Sequence, residues 1–77
     1  MKTSNSKERI KILVKALGIT QKELAIKSGV RESSISNYVK GISKPGQKSI
    51  DRLSEATGVS PSWLLGYGPD EPIERIV

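Results

Sequence analysis

Apolar residues recur near the start of the chain with the spacing of one face of an α-helix. At positions i, i+3, i+4 and i+7 stand Ile10, Leu13, Val14 and Leu17. This spacing is typical of an amphipathic helix that packs on a core. Asn5 or Ser6 can cap its start, and Gly18 is placed to end it. The pattern therefore predicts a first helix over about residues 6–17.

A second helix is indicated by its start signal. Thr20 and Glu23 have the spacing of a capping box, in which each side chain bonds to the other residue's backbone N–H. The apolar residues on either side of the cap, Ile19 and Leu24, can pack together as a hydrophobic staple. The second helix is therefore predicted to begin at Gln21, and it must be short because a glycine follows at position 29.

A third short helix is predicted over about residues 32–39, after the turn at Gly29. Its inward positions are predicted to be Ile35 and Val39, with Val30 packed in the preceding turn. The residues on its opposite, outward side are Glu32, Ser33, Ser36, Asn37 and Lys40. Two short helices joined by a turn that contains glycine are the helix-turn-helix unit.

Two further helices complete the prediction. One spans about residues 47–57, with Ile50 and Leu53 on its apolar edge, and the other follows the Ser60–Pro61 start signal over about residues 61–65. Residues 1–5 are expected to be a flexible tail and residues 67–77 a tail or linker. No alternating strand pattern occurs, so the fold class is all-α: a compact five-helix bundle in one domain, residues 6–66.

The charge of the chain is unevenly distributed. Residues 1–48 carry eleven Lys or Arg and three Glu, a net charge of +8, whereas residues 49–77 carry two Arg and five acids, a net charge of −3. A small domain with one strongly positive part is suited to a polyanion such as nucleic acid. The alternative is an ordinary solvated surface, which charge alone disfavours only slightly.

Composition argues against several other classes. The chain has no Cys and no His, so no catalytic residue, metal site or cofactor is expected, and the protein is not predicted to be an enzyme. It lacks an apolar run long enough to cross a bilayer and lacks a signal peptide. These features predict a cytoplasmic protein with no membrane partner.

The stretch from Gln21 to Lys40, QKELAIKSGVRESSISNYVK, resembles the DNA-binding motif of the phage repressor/Cro family. The resemblance continues in KGISKP after the third helix and in ATGVSPSWLLG near the end, and covers about residues 7–66. It implies a five-helix DNA-binding domain of the phage repressor type. It also implies that the third helix enters the major groove of duplex DNA and reads an operator.

The same resemblance implies which residues meet DNA. Base edges would be contacted by Arg31, Glu32, Ser33 and Asn37. Arginine can bind guanine, asparagine adenine, and a glutamate can accept from cytosine. Glu32 also suits the first turn of any helix, and Arg31 stands where the family usually has a Ser or Thr cap. Phosphates would be contacted by Gln21, Lys40, Ser43 and Lys44.

The predicted function is therefore that of a sequence-specific regulator of transcription, most consistent with a repressor. It is expected to form a weak homodimer, assembled only on DNA, whose contact involves Trp63, Leu64 and Tyr67 and is extended by Ile73, Ile76 and Val77. The alternative is a protein-interaction module on the same fold, such as an antitoxin or a domain bound by a protein antagonist. Retention on heparin or random DNA distinguishes the two, because a protein-binding module does not need the +8 region.

Overall fold

The structure, a computed structural model, describes residues 5–68. Within this range the chain forms five α-helices: α1 (Ser6–Leu17), α2 (Gln21–Ser28), α3 (Glu32–Lys40), α4 (Gln47–Thr57) and α5 (Pro61–Leu65). The predicted all-α fold is confirmed, and the helix bounds differ from the predicted ones only in that α3 extends one residue further, to Lys40.

Side-chain caps begin three of the five helices. The Asn5 side chain accepts from Glu8 N at 2.9 Å, and the Ser60 hydroxyl accepts from Trp63 N at 3.1 Å. Both bonds of the capping box between Thr20 and Glu23 are present at 3.0 Å. Asn5, which the sequence placed in the tail, thus belongs to the folded domain as the cap of α1, while the rest of that tail lies outside the described residues.

Polar contacts hold the turn between α2 and α3. The Ser28 hydroxyl donates to Leu24 O at 2.7 Å and accepts from Val30 N at 3.2 Å. Gly29 adopts a left-handed conformation, with φ at 76°, which a residue with a side chain rarely adopts. Arg52 of α4 donates to Gly29 O at 3.4 Å, so the turn is tied to a third helix.

All five helices enclose one apolar core. Helix α3 packs on α1 and α2, while α4 packs on α2 and α5, and α5 also contacts α1. The buried apolar residues are Ile10, Leu13, Leu24, Val30, Ile35, Tyr38, Ile50, Leu53, Val59, Trp63 and Leu64. The α3 stripe in this list differs from the predicted one: Tyr38 is buried, and Val39 is only partly buried. Ile35 and Tyr38, at i and i+3, lie on one side of α3, which packs on α1 and α2, and Val39 packs against the edge of the core.

The expected interface role of Trp63 and Leu64 is corrected by their burial within the chain. Trp63 is 4% exposed and Leu64 is fully buried, so neither side chain presents a surface to a partner. A five-residue helix that contacts both α1 and α4 covers most of its apolar side chains, and Leu65 is partly buried as well. Of the three predicted interface residues, Tyr67 is exposed, and the proposed extension at Ile73, Ile76 and Val77 lies outside the described residues.

Arg9 is a buried cation that the apolar pattern did not reveal. Its side chain is fully buried, and its guanidinium donates to Trp63 O at 3.0 Å and Tyr67 O at 3.1 Å. It also donates to Gly66 O at 3.4 Å and to Gly68 O. The last carbonyl groups of a helix have no N–H donor within that helix. Arg9, in α1, donates hydrogen bonds to the carbonyl groups at and after the end of α5. Tyr67 and Gly68 therefore belong to the folded domain rather than to the tail.

Within residues 5–68, no helix is long and apolar enough to cross a membrane. The same residues contain no group of three or more His, Cys, Asp or Glu side chains arranged to hold a metal ion.

Candidate nucleic-acid interface

The four predicted base-contacting residues lie together at and after the start of α3. Arg31 precedes the helix, Glu32 and Ser33 lie in its first turn, and all three are exposed. Asn37 follows one helical turn after Ser33 on the same side, and it is half-buried. We call these four residues the α3 face. Its side chains include a guanidinium, a carboxylate, a hydroxyl and an amide, the groups that distinguish base edges in the major groove.

Arg31 occupies the cap position of α3 without capping it. Its backbone is extended, with φ −61° and ψ 139°, and its side chain makes no cap hydrogen bond. The first backbone N–H groups of α3 therefore lack the side-chain acceptor that Thr20 supplies to α2. Compared with a capping Ser, Thr or Asp, an arginine at this position costs about 1 kcal/mol of helix stability. The start of α3 therefore carries a guanidinium and backbone N–H groups that no side chain at the cap position binds.

Asn37 also organises the segment that follows α3. Its carbonyl accepts from Ile42 N at 2.9 Å and from Ser43 N at 3.4 Å, around Gly41 in the left-handed region at φ 77°. The bond from Ile42 is the six-to-one bond of a Schellman motif. The start of the connecting loop is thus fixed to α3. The backbone N–H groups of Ile42 and Ser43 already donate to an acceptor within the protein.

A cleft rich in lysine lies beside this loop. It is bounded by the start of α1 and by the end of α3 with its loop, and we call it the lysine cleft; its lining residues are Asn5, Ser6, Lys7, Lys40, Gly41, Ser43, Lys44 and Pro45. These eight residues, all within the described range, include three lysines and no acid. Their combined charge favours a bound phosphate group.

Lys7 is the member of this cleft that the sequence did not single out. Its aliphatic side chain runs past Gly41: a Cβ built on Gly41 would lie 3.3 Å from Lys7 Cδ and 3.7 Å from Lys7 Nζ. A side chain at position 41 would therefore press on Lys7, in addition to requiring a strained backbone. No periodicity or motif links residues 7 and 41, so only the packing of α1 against α3 could reveal this pair.

The predicted phosphate contacts fall into two groups. Lys40, Ser43 and Lys44 line the lysine cleft together, whereas Gln21 is absent from that lining and stands as the first residue of α2. The Gln21 side chain is half-buried, next to the N–H groups of the first turn of α2, where an anion is favoured by the helix dipole. The predicted phosphate-contacting residues thus lie at two separate places, one at each end of the helix-turn-helix motif.

Comparison with known proteins assigns the family. A helix-turn-helix family model matches residues 10–64, more than two thirds of the chain. The chain belongs to this family, the Cro/C1-type helix-turn-helix proteins, as its resemblance to the phage repressors predicted. The family consists of DNA-binding regulators and not of enzymes, in agreement with the prediction from the sequence.

Two curated relatives are transcriptional regulators by name. An uncharacterized HTH-type transcriptional regulator of Haemophilus influenzae is 40% identical over 60 residues, which are 78% of this chain and 25% of that protein. The HTH-type transcriptional regulator DicA of Escherichia coli is 35% identical over 75 residues, or 91% of this chain and 55% of that protein. The chain thus spans about a quarter and about half of the length of these relatives. No solved structure gives a significant match.

Proposed function

We propose that this protein is a sequence-specific regulator that binds an operator in duplex DNA and represses transcription from it. The α3 face enters the major groove, and Arg31, Glu32, Ser33 and Asn37 contact base edges there. The names of the relatives support regulation of transcription, and the net charge of +8 in residues 1–48 supports a polyanion as the partner.

One observation carries the proposal: the α3 face and the lysine cleft occupy successive parts of one helix and its loop. Asn37, in the face, holds through its carbonyl the backbone of Ile42 and Ser43, which adjoin the cleft. A reader of base edges needs such neighbouring contacts, because phosphate contacts set the position from which side chains reach the bases. Lys7, Lys40 and Lys44 supply them at one end of α3, and Gln21 supplies one at the start of α2.

The proposal includes a weak homodimer that assembles on DNA. One helix-turn-helix reads only a few base pairs, and a two-fold pair doubles the sequence that is read. Tyr67, which is 46% exposed and follows α5, is the predicted interface residue that the fold leaves accessible. The protein acts in the cytoplasm. A protein antagonist that occupies the α3 face would release the operator.

Selection from a random pool of DNA duplexes tests this function. The selected sites should share an inverted repeat, and Asn37→Ala should relax the preference at one base pair of each half-site. The substitution should weaken the best site by about 1–3 kcal/mol, the contribution of one good bidentate contact. Lys27→Ala is the control, because this exposed residue of α2 belongs to neither the α3 face nor the lysine cleft.

A second substitution tests the chemistry of the acid on the α3 face. Glu32→Gln should weaken the selected site if Glu32 accepts from cytosine, yet strengthen binding to random duplexes by removing repulsion from phosphates. Unchanged proportions among all sequences for both variants would show that α3 is not the reader. A wild-type protein that is not retained on heparin or random DNA at low salt would favour the protein-interaction module instead.

A further inference from the structure

Ile42 is an exposed apolar side chain at the edge of the α3 face. It is 69% exposed, whereas every other large aliphatic residue of the described range except Ile26 is at least partly buried. A single exposed isoleucine is ordinary on a protein surface. Its position is informative, because only Gly41 separates it from the end of α3 and its N–H donates to the carbonyl of Asn37.

The exposure of Ile42 has a local structural cause. In a Schellman motif the residue after the left-handed glycine usually packs on an apolar residue five positions earlier. The end of α1 shows this arrangement: Ile19 N donates to Val14 O at 3.2 Å, and both side chains pack against the core. At the end of α3 the equivalent bond joins Ile42 to Asn37 at 2.9 Å, so the expected apolar partner is an amide.

The backbone of Ile42 is nevertheless held firmly against α3. The carbonyl of Asn37 binds the N–H groups of both Ile42 and Ser43, and Gly41 N donates to Tyr38 O at 3.1 Å. The backbone of Ile42 is therefore fixed next to the backbone of Asn37. An exposed side chain at this position is available to the part of the groove that the end of α3 would enter.

The surroundings of Ile42 disfavour a protein as its partner. The residues around it in the chain are Lys40, Gly41, Ser43 and Lys44, and its backbone partner is Asn37, so the local sequence supplies no apolar side chain with which it could form a patch. Protein-docking surfaces are built around such patches. In the major groove the apolar group that distinguishes bases is the C5-methyl group of thymine.

We propose that Ile42 is a further specificity-determining residue, which contacts the C5-methyl group of a thymine adjacent to the base pair read by Asn37. The inference rests on the proposed function, since it requires that the α3 face lies in the major groove. It adds an apolar contact to a surface that otherwise presents hydrogen-bonding and charged groups. The protein should consequently prefer thymine to any base without the methyl group at that position.

Replacement of thymine by deoxyuridine tests this contact, because it removes the methyl group and keeps the base pairing. The probe is the best duplex selected from the random pool, synthesised with deoxyuridine at one thymine at a time. One replacement per half-site should weaken wild-type binding about four-fold, the effect expected for one methyl group returned to water. Ile42→Ala should bind the thymine duplex several-fold more weakly and should no longer distinguish thymine from deoxyuridine there.

Ile26→Ala provides a matched control. Ile26 is 75% exposed, belongs to α2, and lies in a shallow groove with Ile19, Glu23 and Lys27, away from the lysine cleft. This variant should retain the full wild-type response to deoxyuridine. Because both isoleucines are exposed, neither substitution should alter folding, which circular dichroism checks.

Each outcome is distinguishable from failure of the proposed function. If wild type and Ile42→Ala respond equally to every deoxyuridine, or if no replacement affects wild-type binding, the methyl contact is refuted although specific binding stands. A uniform loss in Ile42→Ala on all duplexes, with the thymine response kept, indicates a sugar contact and also refutes it. If wild type selects no common site at all, the proposed function fails, and the methyl contact fails with it.

Discussion

The guanidinium carbon of Arg9 lies 4.8 Å from the centroid of the Trp63 ring, in the geometry of a cation–π contact. The same guanidinium donates to the carbonyl groups of Trp63, Gly66, Tyr67 and Gly68. One side chain of α1 thus satisfies the carboxyl end of α5 and holds its aromatic residue. The residue that joins the ends of the domain is a buried charge, whose hydrogen bonds offset the cost of its desolvation.

Arg9→Met should lower the free energy of unfolding by about 3 kcal/mol, because it removes the charge-assisted hydrogen bonds to four carbonyl groups at and after the end of α5. Arg9→Lys should recover only part of the loss, since one ammonium cannot reach all four carbonyl groups. Urea unfolding followed by the fluorescence of Trp63, the single tryptophan, measures both values. Lys11→Met, at an exposed position of the same helix, is the control. A loss below 1 kcal/mol for Arg9→Met would contradict this structural role.

Arg31→Ser should change stability and DNA binding in opposite directions. The serine supplies the missing cap of α3 and should raise the free energy of unfolding by about 1 kcal/mol. It also removes the guanidinium from the α3 face and should weaken the selected duplex by about 1–3 kcal/mol. Urea unfolding and fluorescence anisotropy measure the two effects.

Arg31→Ala separates the two causes, because it removes the guanidinium without supplying a cap. Its DNA affinity should fall as in Arg31→Ser, while its stability should stay near that of wild type. Equal DNA affinity of wild type and both variants would remove Arg31 from the α3 face.

Lys7→Ala and Lys44→Ala should each reduce the salt dependence of DNA binding. Every phosphate neutralised by a protein cation contributes about −0.9 to the slope of log affinity against log salt concentration. On a half-site duplex that binds one protein molecule, each substitution should therefore make the slope shallower by about 0.9, and the double variant by about 1.8, if each lysine holds one phosphate. Titrations at four or more salt concentrations give the slopes.

Different observations point to the two lysines. The resemblance to the phage repressors predicts a phosphate contact for Lys44, whereas the contact with Gly41 and the shared lysine cleft point to Lys7. Lys27→Ala should leave the slope unchanged. A wild-type affinity that does not vary with salt would refute the electrostatic part of the proposal.

Two protein molecules should occupy one operator, with half-sites about 10–10.5 base pairs apart, as expected for symmetric helix-turn-helix dimers. Tyr67→Ala should weaken the full operator more than an isolated half-site, since it affects contact between the subunits and not the α3 face. Footprinting and the stoichiometry of the bound complex measure this. A single molecule bound with full affinity to an asymmetric site would exclude the dimer.

Much of the fold follows from local signals, each of which is contained in one short segment of the chain. The capping box of Thr20 and Glu23 and the glycines after the helices mark where each helix begins or ends, because cap geometry depends on a few neighbouring residues. The spacing of Ile10 and Leu13 indicates a buried face for the same reason. The five helices could therefore be predicted from these signals, and the resemblance of residues 21–40 to the phage repressors predicted the family and the position of the α3 face.

The tertiary structure decided the features that require contact between distant residues. The burial of Arg9 depends on hydrogen-bond partners that lie more than 50 positions away in the chain. Lys7 reaches Gly41 only because α1 packs on α3. Trp63 was misassigned to a surface because hydrophobicity does not specify whether the chain itself or a partner covers a side chain. Local sequence determines the start, the end and the apolar face of each helix, whereas the packing of the helices determines which charged and apolar groups remain available for binding.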